Sequence, residues 1–319
     1  MALVSRSSIR RRAVREIMYL DAMQTAVHTH CNALSEPSFV HLYGRLGADL
    51  RIAPISSGAV ILSQISGGQS VSPGRGSIAI KYVAEGTEYY HLGGRPYVVE
   101  AGNFLFVPEM TEGEAGRSSQ RETAHGLCVY LPETRSLPSS AQPLEEPLLF
   151  PAHGSDLGRM LESMHRNLFS RPWRGRLEVA AMVKAVDGNV GKLMADALRS
   201  IQSIEAVKGS TRYEIFRRLT LARTYLHDID DRPVDLVELA KVARMSRFQL
   251  TRLFADQFGS PPATYHRRLR LERAGETIAS GHATCTEAGF RYGFNGATQF
   301  SRAFRKTFGV SPSKLRRKQ

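Results

Sequence analysis

The sequence predicts an α+β chain of several domains: a small β-barrel or sandwich, a helical linker, and an all-α C-terminal region. Three observations predict it. Residues 38–132 are short apolar runs broken by glycine-rich turns, the texture of a small all-β domain. From about residue 155 apolar residues recur three or four apart, as on amphipathic helices. After residue 212 one pattern of cap, packing stripe, turn and Phe-Gly exit occurs twice, which chance does not readily produce. A length of 319 residues with 42% apolar content is enough for two globular domains. The expected division is an arm over 1–37, a β domain over 38–150, a helical linker over 151–210 and a helical domain over 211–319.

Charge is distributed unevenly. The chain carries a formal +13, which calls for an anionic partner. Residues 211–319 hold 21 Lys and Arg against 10 Asp and Glu, a net of +11, while residues 1–210 hold 22 against 20. The basic character therefore belongs to the C-terminal third, the footprint of nucleic-acid binding. Cys31, Cys128 and Cys285 lie far apart with no CxxC pair, which fits a reducing cytosol better than a disulfide framework or structural zinc site. The basic start lacks an apolar segment of signal-peptide type, and no run of eighteen apolar residues suggests a membrane span. A cytoplasmic location is expected.

In the arm, Arg10, Arg11, Arg12 and Arg15 read as a solvated basic tail, with DNA contact as the alternative. In the β domain Ile78, Ile80 and Tyr82 alternate with small or polar neighbours, as in a half-buried strand. Gly93-Gly94 between YYHL and RPYVV signals a two-residue hairpin, and Ala101-Gly102-Asn103 a further turn. Tyr82, Tyr89, Tyr97, Phe104 and Phe106 are candidates for lining a ligand pocket, or are plain core. In the linker, Leu157, Leu161, Met164 and Leu168 form one stripe. Val179, Met182, Val183, Val186, Val190, Leu193, Met194 and Leu198 form another. These helices pack on the β domain or form a dimer interface.

The first helix of the C-terminal region puts Ile215, Leu219, Ala222, Leu226 and Ile229 on one face and stops at Pro233. Asp235 and Glu238 form a capping pair for the next helix, packed through Leu236, Leu239, Ala240 and Ala243. A break at Arg244-Met245 follows. Ser246 and Gln249 form a capping box for a helix that buries Leu250, Leu253, Phe254 and Phe258. This is a helix-turn-helix. The pattern returns with Thr284 and Glu287 as caps, a turn at Gly293-Phe294, and Phe300, Ala303, Phe304 and Phe308 facing inward. Asn295 and Gly296 read as the second recognition helix's cap. Glu238 maps to Glu287 at an offset of 49 and Phe254 to Phe304 at 50, so one residue is inserted before the second recognition helix. A helix with Arg267, Arg268, Arg270 and Arg273 joins the units. If it holds them about 34 Å apart, both reach successive major grooves of double-stranded DNA.

Recognition helices present their first turns to base edges. The outward positions are Arg247, Phe248, Gln249, Thr251 and Arg252 in the first unit, and Ala297, Thr298, Gln299 and Arg302 in the second. Arg252 has the chemistry to pair with guanine and Gln299 with adenine, while Phe248 offers apolar contact to a thymine methyl. Arg267, Arg268, Arg305, Lys306, Arg316 and Arg317 are candidates for phosphate contacts, which position without specifying.

The stretch ELAKVARMSRFQLTRLFADQFGSPPATYHRRLRLERA, with TEAGFRYGFNGATQFSRAFRKTFGVSPSKLR, resembles the AraC/XylS family of bacterial regulators over roughly residues 212–317. The resemblance implies a seven-helix DNA-binding domain and favours Phe248, Thr251 and Arg252 as contacts. It also implies an N-terminal domain that senses a ligand and helps dimerise. The segment SIAIKYVAEGTEYYHLGGRPYVVEAGNFLFVPE resembles the sensor half of a cupin-type jelly roll. A small-molecule or protein effector, RNA polymerase and a second copy of the chain are the partners this admits beyond DNA. The second unit departs from the family in having Gly289 where a packing alanine is usual, preceded by Ala288. That is expected to loosen its first helix by up to about 1 kcal/mol. With small Gly296 and Ala297 in front, the second unit is expected to specify sequence less than the first.

An enzyme is the contrasting reading. A cupin metal site needs clustered histidines and a carboxylate, but His41, His91 and His125 stand alone and His28-Thr29-His30-Cys31 lies in the arm. No GxSxG or GxxxxGK[ST] motif occurs. A DNA-alkyl transferase, sometimes fused to such a DNA-binding unit, needs an activated cysteine; Cys31 and Cys128 lack that setting. No catalytic residue, metal or cofactor is expected. A nonspecific architectural DNA-binding protein without an effector is the remaining alternative.

Overall fold

The structure is a computed structural model that describes residues 38–43, 50–51, 58–66, 71–72, 77–109, 111, 113–118, 123–132, 144, 146–171 and 176–315. The arm with His28, His30, Cys31 and its arginines lies outside the described residues, as do Arg316 and Arg317. The chain divides into two compact units, Met1–Arg199 and Ser200–Gln319.

The first unit contains eleven described strands in two sheets. They are β1 (Ser38–Tyr43), β2 (Leu50–Arg51), β3 (Ala59–Ser66), β4 (Val71–Ser72), β5 (Ala79–Glu85), β6 (Thr87–Leu92), β7 (Arg95–Glu100), β8 (Asn103–Val107), β9 (Gly113–Ser118), β10 (Thr123–Tyr130) and β11 (Leu148–Pro151). One sheet has the order β1-β3-β10-β5-β8-β11, the other β2-β4-β9-β6-β7. Pairing is antiparallel except for β1 with β3 and β2 with β4. Gly93 and Gly94 take φ of 57° and 74° at the β6–β7 turn, the left-handed geometry a two-residue hairpin demands. Two helices follow, α1 (Asp156–Ser170) and α2 (Arg176–Gln202). Ser155 caps α1 by accepting from the Gly158 amide.

The expected half-buried alternation on β5 is corrected by what lies on its two sides. Residues 78–83 are buried without a break, because α1 covers one sheet face and the second sheet covers the other. Tyr82 pairs with Phe104, and Ile80 with Phe106, so these side chains share a face. That face is the helix-covered one, since Tyr82 meets the His165 ring of α1 edge-on at 6.1 Å. Lys81, Val83, Leu105, Cys128 and Tyr130 share the opposite, inter-sheet face by the same registers.

The five candidate pocket aromatics therefore do not converge. Tyr82, Phe104 and Phe106 are core under α1 and β11, where Phe104 stacks on Phe150 at 5.5 Å. Tyr97 is buried between the sheets, whereas Tyr89 is 43% exposed.

The first linker stripe is buried within the chain, and the second is buried in part. Leu157, Leu161, Met164 and Leu168 of α1 are inside, as are Val179, Val183, Val186, Val190 and Met194 of α2. Gly58 leaves room for Val183, whose Cγ1 would lie 3.0 Å from an added Cβ. Met182, Leu193 and Leu198 are half-buried.

The second unit is all helical: α3 (Gly209–Asp228), α4 (Leu236–Ala243), α5 (Arg247–Phe258), α6 (Pro262–Ala279), α7 (Cys285–Arg291), α8 (Ala297–Phe308) and a final 3-10 turn, Pro312–Leu315. These are seven helical segments among the described residues. Two apolar cores hold it. Leu219, Ala222, Leu226, Leu239, Ala240, Ala243, Leu250 and Phe254 form the first. Leu271, Ala274, Ile278, Ala288, Tyr292, Phe294, Phe300, Ala303 and Phe304 form the second. Among the described residues no helix is long and apolar enough to cross a membrane.

Candidate nucleic-acid interface

Each helix-turn-helix is built from local hydrogen bonds that the sequence encodes within four residues. Asp235 caps α4 by accepting from the Val237 amide at 2.7 Å. Its expected partner Glu238 instead forms a hydrogen bond with Tyr225, so α4 is capped by the aspartate. Arg244 ends α4 in the left-handed region at φ 50°, ψ 46°, which is costly for any residue but glycine. Its carbonyl accepts from Arg218 Nη1 at 2.9 Å. Arg218 is itself held by Glu214 at 2.8 Å. Hydrogen bonding from Arg217 pulls the Glu214 carboxyl down to about 2, with Arg218 acting in the same sense against burial.

The first recognition helix, α5, carries the predicted capping box: Ser246 accepts from the Gln249 amide and Gln249 turns back on the cap. Gln249 Oε1 accepts from Ser246 Oγ at 3.2 Å, leaving its amide NH₂ as the end that faces out. Thr251 Oγ1 donates to the Arg247 carbonyl at 2.8 Å. Arg247, Phe248, Gln249 and Arg252 are exposed and Thr251 half-exposed. Phe248 is 78% exposed, a large apolar ring held in solvent on the helix's leading turn.

The second unit repeats this with different chemistry. Thr284 and Glu287 form a complete capping box on α7. At α8, Gly296 occupies the N-cap with no side chain to offer, and Gln299 Oε1 accepts from the Asn295 amide at 2.9 Å. The cap thus falls at Gly296, as the sequence assigns it, and Gln299 fixes the preceding Asn295 amide, with its NH₂ again the outward end. Reading adenine with both ends, as expected for Gln299, requires this bond to open. Ala297, Thr298, Gln299 and Arg302 are exposed.

Helix α6 joins the units more firmly than its run of arginines suggests. Tyr265 takes Arg223 Nε and His227 Nε2 as partners at 3.2 and 2.9 Å. The His266 ring bonds the Ile229 carbonyl at 2.6 Å. Arg273 pairs with Asp230 at 3.5 Å. Arg270 is buried and donates from Nη1 to the carbonyls of Tyr292 and Gly293 at 2.9 and 3.2 Å, with its guanidinium 4.9 Å from the Phe294 ring. Gly293 fits against the loop after α3: an added Cβ would stand 2.3 Å from the Asp231 oxygen. Arg270 thus locks the second turn, a role the sequence does not reveal beyond placing it with Arg267, Arg268 and Arg273 on the joining helix. Arg267, Arg305 and Lys306 are exposed. Arg268 is paired with Glu272 at 2.9 Å at the surface.

Sequence reasoning also missed a polar cluster between the two sheets. Lys81 and Glu88 are 6% and 4% exposed and lie among Tyr90, Cys128 and Tyr130. The missed signal was a lysine inside the apolar run IAIKYVAE.

Residues 239–318 match the family model of a helix-turn-helix domain, and residues 74–183 that of an AraC-like ligand binding domain. Over 253 residues the chain is 26% identical to the HTH-type transcriptional activator RhaS of Escherichia coli O6:H1, covering 74% of this chain and 84% of that protein. It is 30% identical over 96 residues to the probable transcriptional regulator LumQ of Photobacterium leiognathi, which is 30% of this chain and 39% of LumQ. Over 89 residues it is 35% identical to the HTH-type transcriptional regulator GbdR of Pseudomonas aeruginosa, which is 28% of this chain and 24% of GbdR. The match thus spans well under half the length of LumQ and GbdR. Among solved structures, a transcriptional regulator from Chromobacterium violaceum with an AraC-type DNA-binding domain is 29% identical, with 31% of this chain and 88% of that chain covered and a TM-score of 0.30. The chain thus resembles AraC-type regulators in carrying an AraC-like ligand binding domain followed by a helix-turn-helix domain.

Proposed function

We propose that this protein is a sequence-specific transcription regulator that reads two successive major grooves with α5 and α8, under the control of an effector or partner at its N-terminal domain. One observation carries the reading. Two recognition helices, braced by the shared helix α6, present differently composed exposed faces: Arg247, Phe248, Gln249 and Arg252 on one, Thr298, Gln299 and Arg302 on the other. Distinct faces suit readout of two half-sites, and one cationic surface alone would suit general binding. Arg267, Arg305 and Lys306 supply phosphate contacts, with Arg268 exchanging Glu272 for a phosphate, and Arg316 and Arg317 extend the set.

In this reading residues 38–150 sense, 151–210 link and 211–319 bind DNA, in the cytoplasm and without catalysis. RNA polymerase and a second copy of the chain are the further partners. The test incubates the full chain with sheared genomic DNA and excess competitor at two salt concentrations, then sequences what is retained. Enrichment of few fragments that share paired half-sites, weakening with salt, supports specific readout. Uniform recovery of all fragments would favour a nonspecific role.

A further inference from the structure

Glu272, Gly275, Glu276 and Ala279 recur three and four apart on α6 and so share one face. They form one wall of a groove of about 400 Å³ that lies wholly within the second unit. Phe304 and Phe308 of α8 stand opposite, and Val310 and Leu315 complete the lining. Gly275 lets the two helices close at the floor: a Cβ on it would stand 3.1 Å from the Phe304 ring and 3.4 Å from Leu315 Cδ1. Ala279 is exposed and short, and Val310 is 40% exposed, so the groove stays open to solvent beside them. Its volume is that of a small-molecule site.

Charge at the rim decides what kind of molecule fits. Residues 211–319 carry a net +11, yet this wall presents two carboxylates one turn apart, and no cation lines the groove among the described residues. Glu276 is exposed and has no ion-pair partner among the described residues. Glu272 is half-buried and takes Arg268 at 2.9 Å. Two carboxylates repel an anion and attract a cation. The phenylalanine rings, 4.6 Å apart between centroids, want an apolar body, and their faces also favour an ammonium. A hydrated metal ion would leave the rings unused, and a neutral apolar body would leave the carboxylates unanswered.

We propose that this groove binds a small organic amine, its apolar body on Phe308 and Val310 and its ammonium between Glu272 and Glu276. The bound amine bridges α6 to α8 and so bears on the second recognition helix. Arg268 couples the site to DNA. When this arginine exchanges Glu272 for a phosphate, Glu272 becomes free for the ammonium; an ammonium already on Glu272 releases Arg268 to the phosphate. Linkage makes the two effects equal. The coupling rests on the DNA-binding reading proposed above, whereas the amine site itself does not.

Calorimetric titration of the full chain with 2-phenylethylamine and hexylamine tests the site. 2-Phenylethanol lacks the charge, 3-phenylpropionate reverses it and ethylamine lacks the body. The expected result is saturable binding of at least one of the two larger amines, with every control about fivefold weaker or more. Ala279→Trp fills the groove from an exposed position and should abolish binding. Glu272→Gln/Glu276→Gln should bring 2-phenylethylamine down to the level of 2-phenylethanol. Arg268→Ala should tighten amine binding in the absence of DNA, which mere partition into an apolar surface would not do. Equal binding of amine and alcohol, binding that survives Ala279→Trp, or no saturable binding of either larger amine overturns the proposal. So does a helical peptide with Leu and Lys four apart that binds where neither amine does, because it gives the groove to a protein partner. With an enriched genomic fragment present, amine binding should strengthen about twofold or more, and an unchanged affinity overturns the coupling. Titration without DNA reports on the site and fragment retention on the regulator reading, so failure of one is distinguishable from failure of the other.

Discussion

Gly289 and Phe300 are matched in size: a Cβ added to the glycine would stand 3.2 Å from both Cβ and Cγ of the phenylalanine. The equivalent places in the first helix-turn-helix hold Ala240 and Leu250, both buried. The second unit has shifted volume from its short helix to its recognition helix. The loosening of α7 expected from its glycine is therefore offset by a larger ring packed against it, which helix propensity does not register.

Gly289→Ala is accordingly expected to destabilise. Propensity alone would return up to about 1 kcal/mol, but crowding a filled core costs about 1–3 kcal/mol. Phe300 has little room to give, fixed by Phe294 and Phe304 at centroid distances of 5.4 and 5.7 Å. Phe300→Leu alone should also destabilise, and Gly289→Ala/Phe300→Leu should recover at least about 0.5 kcal/mol of the summed losses. Denaturant titration of the four chains measures this; additive losses would show that the ring yields.

The two turns should respond oppositely to substitution. Gly293 has φ +71°, and its missing Cβ would meet the Asp231 oxygen at 2.3 Å and Arg232 Cα at 2.8 Å. Gly293→Ala should cost about 2–4 kcal/mol, combining left-handed strain with a backbone clash. Arg244 sits at a similar φ of 50° with its side chain exposed and its fold contact made by the carbonyl. Arg244→Gly relieves about 1 kcal/mol of strain and should leave stability unchanged or slightly raised. The same denaturation experiment decides both, and a large loss for Arg244→Gly would mean that its side chain holds the turn.

What was legible in the sequence was what is local. The boxes Ser246–Gln249 and Thr284–Glu287 close within three residues, and the Phe300–Phe304–Phe308 stripe repeats within a turn. Both could be read without knowing what lay opposite. Arg270 could not, because its acceptors are 22 and 23 residues further on and nothing in α6 itself distinguishes it from Arg267. Lys81 was hidden differently. Alternation on a strand separates two faces but does not say which is wet, and here neither is. Tyr82, Phe104 and Phe106 look like a pocket by composition, yet register turns them under α1 while Lys81 and Glu88 take the inter-sheet space.

Two arginines of the helical domain should separate specificity from affinity. Arg252 is exposed on the leading turns of α5 and Arg267 is exposed on α6, outside either recognition helix. Arg252→Ala is expected to weaken binding to an enriched fragment by about 1–3 kcal/mol and to relax the base preference at one position. Arg267→Ala should weaken enriched and random fragments alike, with a salt slope about one unit shallower. Mobility shifts over a salt series provide both numbers. Equal losses on both classes of fragment for Arg252→Ala would place it on phosphate.

His266 should make the helical domain sensitive to mild acid. Its ring is buried against the Ile229 carbonyl. Burial holds its pKa down to about 4, Arg270 and Arg273 acting in the same sense and the hydrogen bond opposing. In the unfolded chain the imidazole titrates near its ordinary value of 6.5. Between these two values the unfolded state binds more protons, so stability is fully present above about pH 6.5 and falls as pH drops towards 4. The loss should be about 2–3 kcal/mol. Glu214, held down to about 2, acts in a separate window: its contribution is present above the ordinary carboxyl range and is lost only as pH falls through it towards 2. His266→Gln keeps an N–H donor for the Ile229 carbonyl and removes the titration. The variant should be less stable at pH 7 but flat between 6.5 and 4.5. A wild-type profile already flat across that interval would mean that the ring takes up its proton without leaving its site.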